Sequence, residues 1–518
     1  MPSTHALGWI LSTPMSRIVF LLTSLTSLTS LTSVVMGAAV EHVHLSAATP
    51  GHLRVMWRTH DRVAESMICW RCIDFDSTRV GESPMSQTLC ATGDPLKSQS
   101  AYIPNHGIHH TVKVKFLPEC HNIQYRVAND SRVSHKSSDP SDPSDPSWFV
   151  YRKPSTESVT LAVYGDMGLQ SSATRRMELY SVAGLVKDWS AEWTHQMVLR
   201  WVRSDMIDAV WHLGDIGYMD DSFSHAIWSF EYEDTYDAFM RWIEPIASRV
   251  PYMVTVGNHE SECHSPACIV GYSKYGLRLQ NFTAFNHRWS MPSAESGGVA
   301  NMWYSWNAGP AHFVSINTET DWPGAPEEHR GGSGVFRSGA FGRLGEFERW
   351  FENDLSVANR TRTKRPWIVI GGHRPYRQLP SSFIDLMVAY GVQLYLSGHG
   401  HSYERVTVDQ GVNDGKRGAY TTGTHVVHKR GQHPVYIMVG SAGCDEMRQG
   451  EGPLRTRRAS SLKHITTAST TRSYDRYSAG KLLLNETTMV WRLFDSESCA
   501  LAYNESACTV DTVEWSIS

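Results

Sequence analysis

Charge of one sign is what this chain of 518 residues lacks. Its 48 Lys and Arg stand against 52 Asp and Glu, a formal net charge of −4. No basic block marks a nucleic-acid surface, and no acidic run marks a solvating arm. Long apolar runs are scarce as well. After residue 39 no stretch is long and apolar enough to span a bilayer as a helix. A dithiol redox site is also missing. Cys69 and Cys72 form a CxxC, but no strand-to-helix pattern surrounds it, which argues against a thioredoxin-like role.

The first residues look like targeting rather than fold. Arg17 precedes the uncharged run "IVFLLTSLTSLTSLTSVVMGAA", and Gly37-Ala38-Ala39 is a small-residue cleavage site. Residues 1–39 therefore read as a signal peptide. The run is long for one, so an uncleaved membrane anchor is the alternative. The cysteines agree with an oxidising compartment. Cys263 with Cys268, and Cys499 with Cys508, are close enough to close small loops. Cys69, Cys72, Cys90 and Cys120 allow two more bridges of unreadable connectivity, which leaves Cys444 as the odd thiol. Sequons start at Asn129, Asn281, Asn359, Asn485 and Asn504. The expected location is secreted or extracellular, with the vacuole or lysosome as alternatives.

Residues 40–154 read as an all-β sandwich. "EHVHLSAA", "HLRVMWRT", "HTVKVKFL" and "IQYRVAND" are short runs rich in β-branched and aromatic residues, separated by turn residues. "SDPSDPSDPS" is a low-complexity loop, since its prolines cannot join a ladder. "WFVYRKP" reads as a last strand and a linker.

Residues 155–518 read as an α/β domain. Buried-type strands recur, each ending in Gly and polar residues: "VTLAVYGDMG", "DAVWHLGDIGY", "YMVTVGNHE", "AHFVSINTE", "RPWIVIGGHRPY", "VQLYLSGHGH" and "PVYIMVGSAG". Helical segments lie between several, over residues 172–189 and 343–358 for example. In such folds ligands sit beyond the carboxyl ends of the strands. There fall Asp166, Asp215, Tyr218, Asn258, His259, His373, His399 and His401. Carboxylate and phenolate suit a hard trivalent cation; imidazole and amide suit a divalent one. A pair of metals bridged by a carboxylate is an arrangement for phosphate-ester hydrolysis.

The motifs Gly165-Asp166-Met167-Gly168, "GDIGY", "GNHE" and "GHGH", in that order, resemble the metallophosphoesterase superfamily. The Tyr of "GDIGY" points to its purple acid phosphatase branch, as do "GHGHSYER", "HFVSINTE", "HRWSMPS" and "KLLLNETTMVWRLFDS". The resemblance covers nearly everything after the signal segment. It implies a fibronectin-III-like N-terminal domain before a calcineurin-like catalytic domain of two packed mixed sheets flanked by helices. It implies an acid phosphatase acting on phosphorylated small molecules, with a metal-bound hydroxide as nucleophile. Asp166, Asp215, Tyr218 and His401 would hold Fe(III). Asp215 would bridge to a divalent Fe, Zn or Mn that also takes Asn258, His373 and His399. His259 would serve the leaving group.

One block departs from the family pattern. Ile370-Gly371-Gly372-His373 stands where Val-x-x-His is usual, and the further histidines of the plant enzymes are missing from "HRPYRQLPSSFIDL". Arg374 is the candidate phosphate contact in their place. His109, His110 and His312 read as structural, and Cys444 as a buried thiol. Two rivals remain: a related phosphodiesterase or protein phosphatase, and a secreted phosphate-binding protein with a dead site. Tyr218 argues against the first, and the full ligand set against the second.

Overall fold

Apolar and polar residues alternate along "VKVK", so Val112 and Val114 turn in while Lys113 and Lys115 turn out. In the computed structural model, such segments of the N-terminal region form two four-stranded sheets. The structure describes residues 39–516 apart from 64, 75–87, 95–96, 104–105, 117, 128–147, 170–190, 221–231, 262–279, 328–338, 409–422, 428–431, 445–452, 460–468 and 503. The signal segment, the helix expected over residues 172–189, the Ser-Asp-Pro loop, Asn129 and the Cys263–Cys268 pair lie outside the described residues.

The N-terminal strands are β1 (Val40–Ala47), β2 (His52–Thr59), β3 (Met67–Cys72), β4 (Leu89–Thr92), β5 (Gln99–Ser100), β6 (Ile108–Lys115), β7 (Asn122–Val127) and β8 (Phe149–Arg152). Their orders are β1-β2-β6-β5 and β4-β3-β7-β8. Val55, Trp57 and Val112 from the first sheet share one core with Ile68, Ile123 and Tyr125 from the second. Disulfides join Cys69 to Cys90 and Cys72 to Cys120, which settles the connectivity the spacing left open and divides the CxxC between two bridges.

After Ser155 the strands become continuously buried. β9 (Ser158–Tyr164), β10 (Ala209–Leu213) and β11 (Tyr252–Thr255) run parallel. In a second sheet β12 (Tyr304–Ala308) pairs antiparallel with β13 (Ala311–Ser315). From β13 the order runs through β14 (Trp367–Gly371) and β15 (Leu394–Ser397), again parallel. Every residue of "AVWHL" in β10 is buried, as expected of a strand covered on both faces. The remaining strands are β16 (Tyr403–Val408), β17 (Gly423–Val427), β18 (Val435–Val439), β19 (Arg455–Ala459), β20 (Ser469–Tyr474), β21 (Ser478–Asn485), β22 (Thr488–Asp495) and β23 (Thr509–Ser516). They complete a seven-stranded sheet, β11-β10-β9-β21-β22-β23-β17, and an eight-stranded one, β12-β13-β14-β15-β18-β16-β20-β19.

The two sheets pack through aromatic residues. Trp211 of β10 lies edge-on to Trp306 and Phe313 of the second sheet, with ring centres 4.8 and 5.9 Å apart. Helix α1 (Ala191–Arg203) buries Met197, Val198, Trp201 and Val202, at helical spacing, against this core. Glu192 in its first turn and Arg200 and Arg203 in its last complement the helix dipole. Among the described residues no helix is long and apolar enough to cross a membrane.

Candidate metal centre

Parallel strands deliver their carboxyl ends to one edge, and the predicted ligands occupy it. Asp166 follows β9, Asp215 and Tyr218 follow β10, and Asn258 and His259 follow β11. His373 follows β14, and His399 and His401 follow β15. The backbone is strained there. Ten non-glycine residues among those described have positive φ, and four of them are Asp166, Asp215, Tyr218 and His399. Such clustering marks a site whose surroundings hold the chain in costly conformations. Gly214 shows how closely the rim is packed. Its φ is +81°, and a Cβ there would lie 2.6 Å from His373 Nδ1.

Two groups of donor atoms form. His373 Nε2 lies 3.0 Å from Asp215 Oδ2 and 3.1 Å from Asn258 Oδ1. His399 Nδ1 is 3.1 Å from the same Asn258 oxygen. Asp215, His373 and His399 thus present ligand atoms within 4.8 Å of one another. Beside them, Tyr218 Oη is 3.2 Å from Asp166 Oδ1 and 2.9 Å from His401 Nε2. His373 Nδ1 is 2.8 Å from the Leu213 carbonyl oxygen, so its proton sits there and Nε2 is turned inward. Carboxylate, phenol and imidazole on one side, and carboxylate, amide and two imidazoles on the other, fit a hard trivalent and a borderline divalent cation.

The charge states follow from burial and from this crowding. Burial opposes ionisation of Asp215, yet the His373, His259 and His399 rings hold its carboxyl well below the usual range. Burial opposes the charge on His373 too, but Asp215 outweighs it and carries the imidazole up to about 10. His401 reaches about 12 against burial, through Asp166 and Cys444. His399 falls to about 4, through burial and the neighbouring His373. The Tyr218 phenol is pushed well above its ordinary value, first by burial and then by Cys444 and the two aspartates. Groups so perturbed at one rim are the electrostatic mark of a cation site.

His259 sits beside the clusters. Its backbone N–H donates to Asp215 Oδ1 at 2.9 Å, its Nδ1 is 3.0 Å from Asp220 Oδ2, and its ring packs on Tyr218 at 4.2 Å. Arg374 is tied down by carboxylates. Its Nε lies 2.9 Å and its Nη2 2.8 Å from Glu319 Oε2, and Nη2 is 3.3 Å from Glu327. Its Nη1 is 3.2 Å from His399 Nε2.

Asp220, Glu260, Glu319 and Glu327 are the residues that sequence reasoning missed. Glu260 accepts the backbone N–H groups of Asp215, Ile216 and Gly257 at 3.0, 2.8 and 2.8 Å, and so fixes two ligand loops at once. Glu319 belongs to "INTE" after β13, the one rim strand to which no ligand was assigned; the strand-end rule applied there would have found it. Cys444 is buried and free, and it touches Tyr218 and His401. His312 lies between Asn307 Oδ1 at 2.9 Å and Asp354 Oδ2 at 2.8 Å, away from the rim.

Fold and rim together define a metallophosphoesterase, and residues 159–403 match the calcineurin-like phosphoesterase family. The acid phosphatase of Aspergillus ficuum is 30% identical over 324 residues, 51% of this chain and 50% of that protein. The chain thus spans half the length of that relative. Acid phosphatase type 7 of Homo sapiens is 29% identical over 445 residues, 79% of each chain. A purple acid phosphatase from yellow lupin (Lupinus luteus) seeds shares the fold, with a TM-score of 0.58 at 17% identity, over 93% of this chain and 75% of that one. The chain belongs to the metallophosphoesterases, in their purple acid phosphatase branch.

Proposed function

We propose that the protein is a secreted acid phosphatase that hydrolyses phosphate monoesters at a pair of metal ions. The observation that most supports this is the meeting of the two donor groups on five strand ends, with His259 and Arg374 beside them. Asp166, Asp215, Tyr218 and His401 would hold ferric iron. Asp215, Asn258, His373 and His399 would hold divalent iron, zinc or manganese. When bound, such a pair supplies a hydroxide nucleophile near neutral pH and offsets charge on the phosphoryl oxygens.

The side chains supply the rest. Burial makes the Tyr218 phenol hard to ionise, so it gives up its proton only to a strongly charged partner. Asp220 holds His259 Nδ1, which orients Nε2 on the other edge of the ring to carry a proton to the leaving oxygen. Arg374 adds a cation at the cleft. Residues 40–154 would form a supporting domain and 155–518 the catalytic one, since every ligand follows Ser155. The disulfides at Cys69, Cys72 and Cys499 suit export through the signal segment 1–39. Asn485 and Asn504 are exposed, as glycosylation there requires.

The test is turnover of a chromogenic phosphomonoester at acidic pH, beside the matching diester. We expect the monoester to be hydrolysed faster, and chelation to abolish the activity. Faster cleavage of the diester would instead identify a phosphodiesterase of the same superfamily.

A further inference from the structure

His373 and His399 meet Asn258 Oδ1 with their ring protons set for opposite purposes. His373 Nδ1 faces the Leu213 carbonyl oxygen at 2.8 Å, which only accepts, so that nitrogen carries the proton. Nε2 is then the atom turned toward the other ligands, as a metal would need. His399 is arranged the other way. Its Nε2 lies 3.2 Å from Arg374 Nη1. A guanidinium only donates, so Nε2 must accept and the single proton of the neutral ring sits on Nδ1. From there it donates to Asn258 Oδ1 at 3.1 Å. Yet Nδ1 is also the nitrogen that faces the shared ligand point. A metal held by Nδ1 requires the proton on Nε2, where it would point at the Arg374 N–H. Two donors cannot share that bond.

We propose that loading the divalent metal releases Arg374 from His399 and makes it the phosphate-binding residue of the site, so that metal uptake switches on substrate capture. This rests on the phosphatase reading above. The proton balance closes within the ring: Nδ1 gives its proton to solvent as the metal arrives, Nε2 takes one up, and the imidazole stays neutral. Arg374 does not swing free when Nη1 lets go. Its Nε and Nη2 remain on Glu319 at 2.9 and 2.8 Å, and Nη2 is also 3.3 Å from Glu327. Its side chain is 11% exposed, so the released arm stands at the mouth of the cleft. A guanidinium held by two nitrogens, with a third free to donate, is well suited to a phosphoryl oxygen.

The experiment titrates the metal-free protein with zinc by calorimetry, then titrates the zinc-loaded protein with inorganic phosphate. Wild type is compared with Arg374→Ala and Arg374→Lys. Lysine keeps a positive charge for Glu319 and Glu327 but has no second arm for His399, so it separates hydrogen bonding from charge and carries the test if the alanine variant does not fold. Zinc should bind both variants about 2–10-fold more tightly, since the bond that favours the wrong tautomer is gone. Phosphate should bind the loaded variants roughly 10–100-fold more weakly, the worth of a charge-assisted hydrogen bond. A residue that merely propped Glu319 and Glu327 would weaken both on removal. That outcome, or no change in either affinity, overturns the proposal. A wild type that takes up no zinc overturns the phosphatase reading along with it.

Discussion

At His259 two carboxylates divide the work. Asp215 fixes the backbone through the His259 N–H, and Asp220 fixes the ring through Nδ1. A group held this way but outside the donor groups should matter for proton transfer and not for metal retention. His259→Ala is therefore expected to lower turnover of a phosphomonoester by roughly 10²–10⁴-fold, the range of general acid–base residues. Metal content, read by elemental analysis, should stay at the wild-type level; loss of an ion would make His259 a ligand instead. The eight rim residues were legible because each follows a buried strand beside glycine, so local pattern and chemistry coincide. Asp220 and Glu260 were not legible in role, although they stand within or just after the same motifs. Their work is done across 39 and 45 residues of chain, on His259 Nδ1 and the Asp215 N–H, and only the fold shows those meetings.

Among the elements, continuous apolar runs were the most readable. All seven runs singled out after Ser155 are strands: β9, β10, β11, β13, β14, β15 and β18. The helix expected over residues 343–358 is present as Glu346–Arg360. In the N-terminal region β1, β2, β6, β7 and β8 match the runs read there, while β3, β4 and β5 were not singled out. β4 is half open to solvent and β5 has two residues, so neither carries a strong pattern. Sheet order was beyond reach for a related reason. β21 pairs with β9 across more than three hundred residues, and nothing local in "KLLLN" names that partner. Disulfide connectivity was equally hidden, because loop spacing does not rank pairings among four cysteines.

Over the whole molecule, the N-terminal sheets are joined to the rest by polar bonds as well as apolar contact. His44 Nε2 lies 3.0 Å from the Arg288 carbonyl oxygen, Ser46 Oγ donates to that of Ser290 at 2.6 Å, and Tyr125 Oη to that of Ser248 at 2.6 Å. Arg288 itself is buried between Asp237 at 2.6 Å and Glu233 at 2.8 Å. Histidines in and beside this junction are held neutral. Burial lowers His42 and His109 well below their ordinary value, and with Arg62 it lowers His110 to about 4. The unfolded chain takes up these protons below about pH 6.5. The folded chain refuses the one on His110 until about 4. Their contribution to stability is therefore complete above about pH 6.5 and is lost as pH falls toward 4. Urea midpoints measured across that window should decline in wild type and decline less steeply in His110→Gln. Equal slopes would show that His110 titrates alike in both states. The central claim is that the fold as a whole brings seven ligands to one binuclear rim, and Tyr218 tests it most directly. Its oxygen is buried among Asp166, His401 and Cys444, where only a strongly charged metal would favour phenolate. The measurement is the visible spectrum and metal content of iron-loaded wild type beside Tyr218→Phe. The account predicts two metals per chain and a phenolate-to-iron band in wild type, with the band lost in a folded variant. A band that persists unchanged in Tyr218→Phe, or a wild type that binds no metal, would contradict it.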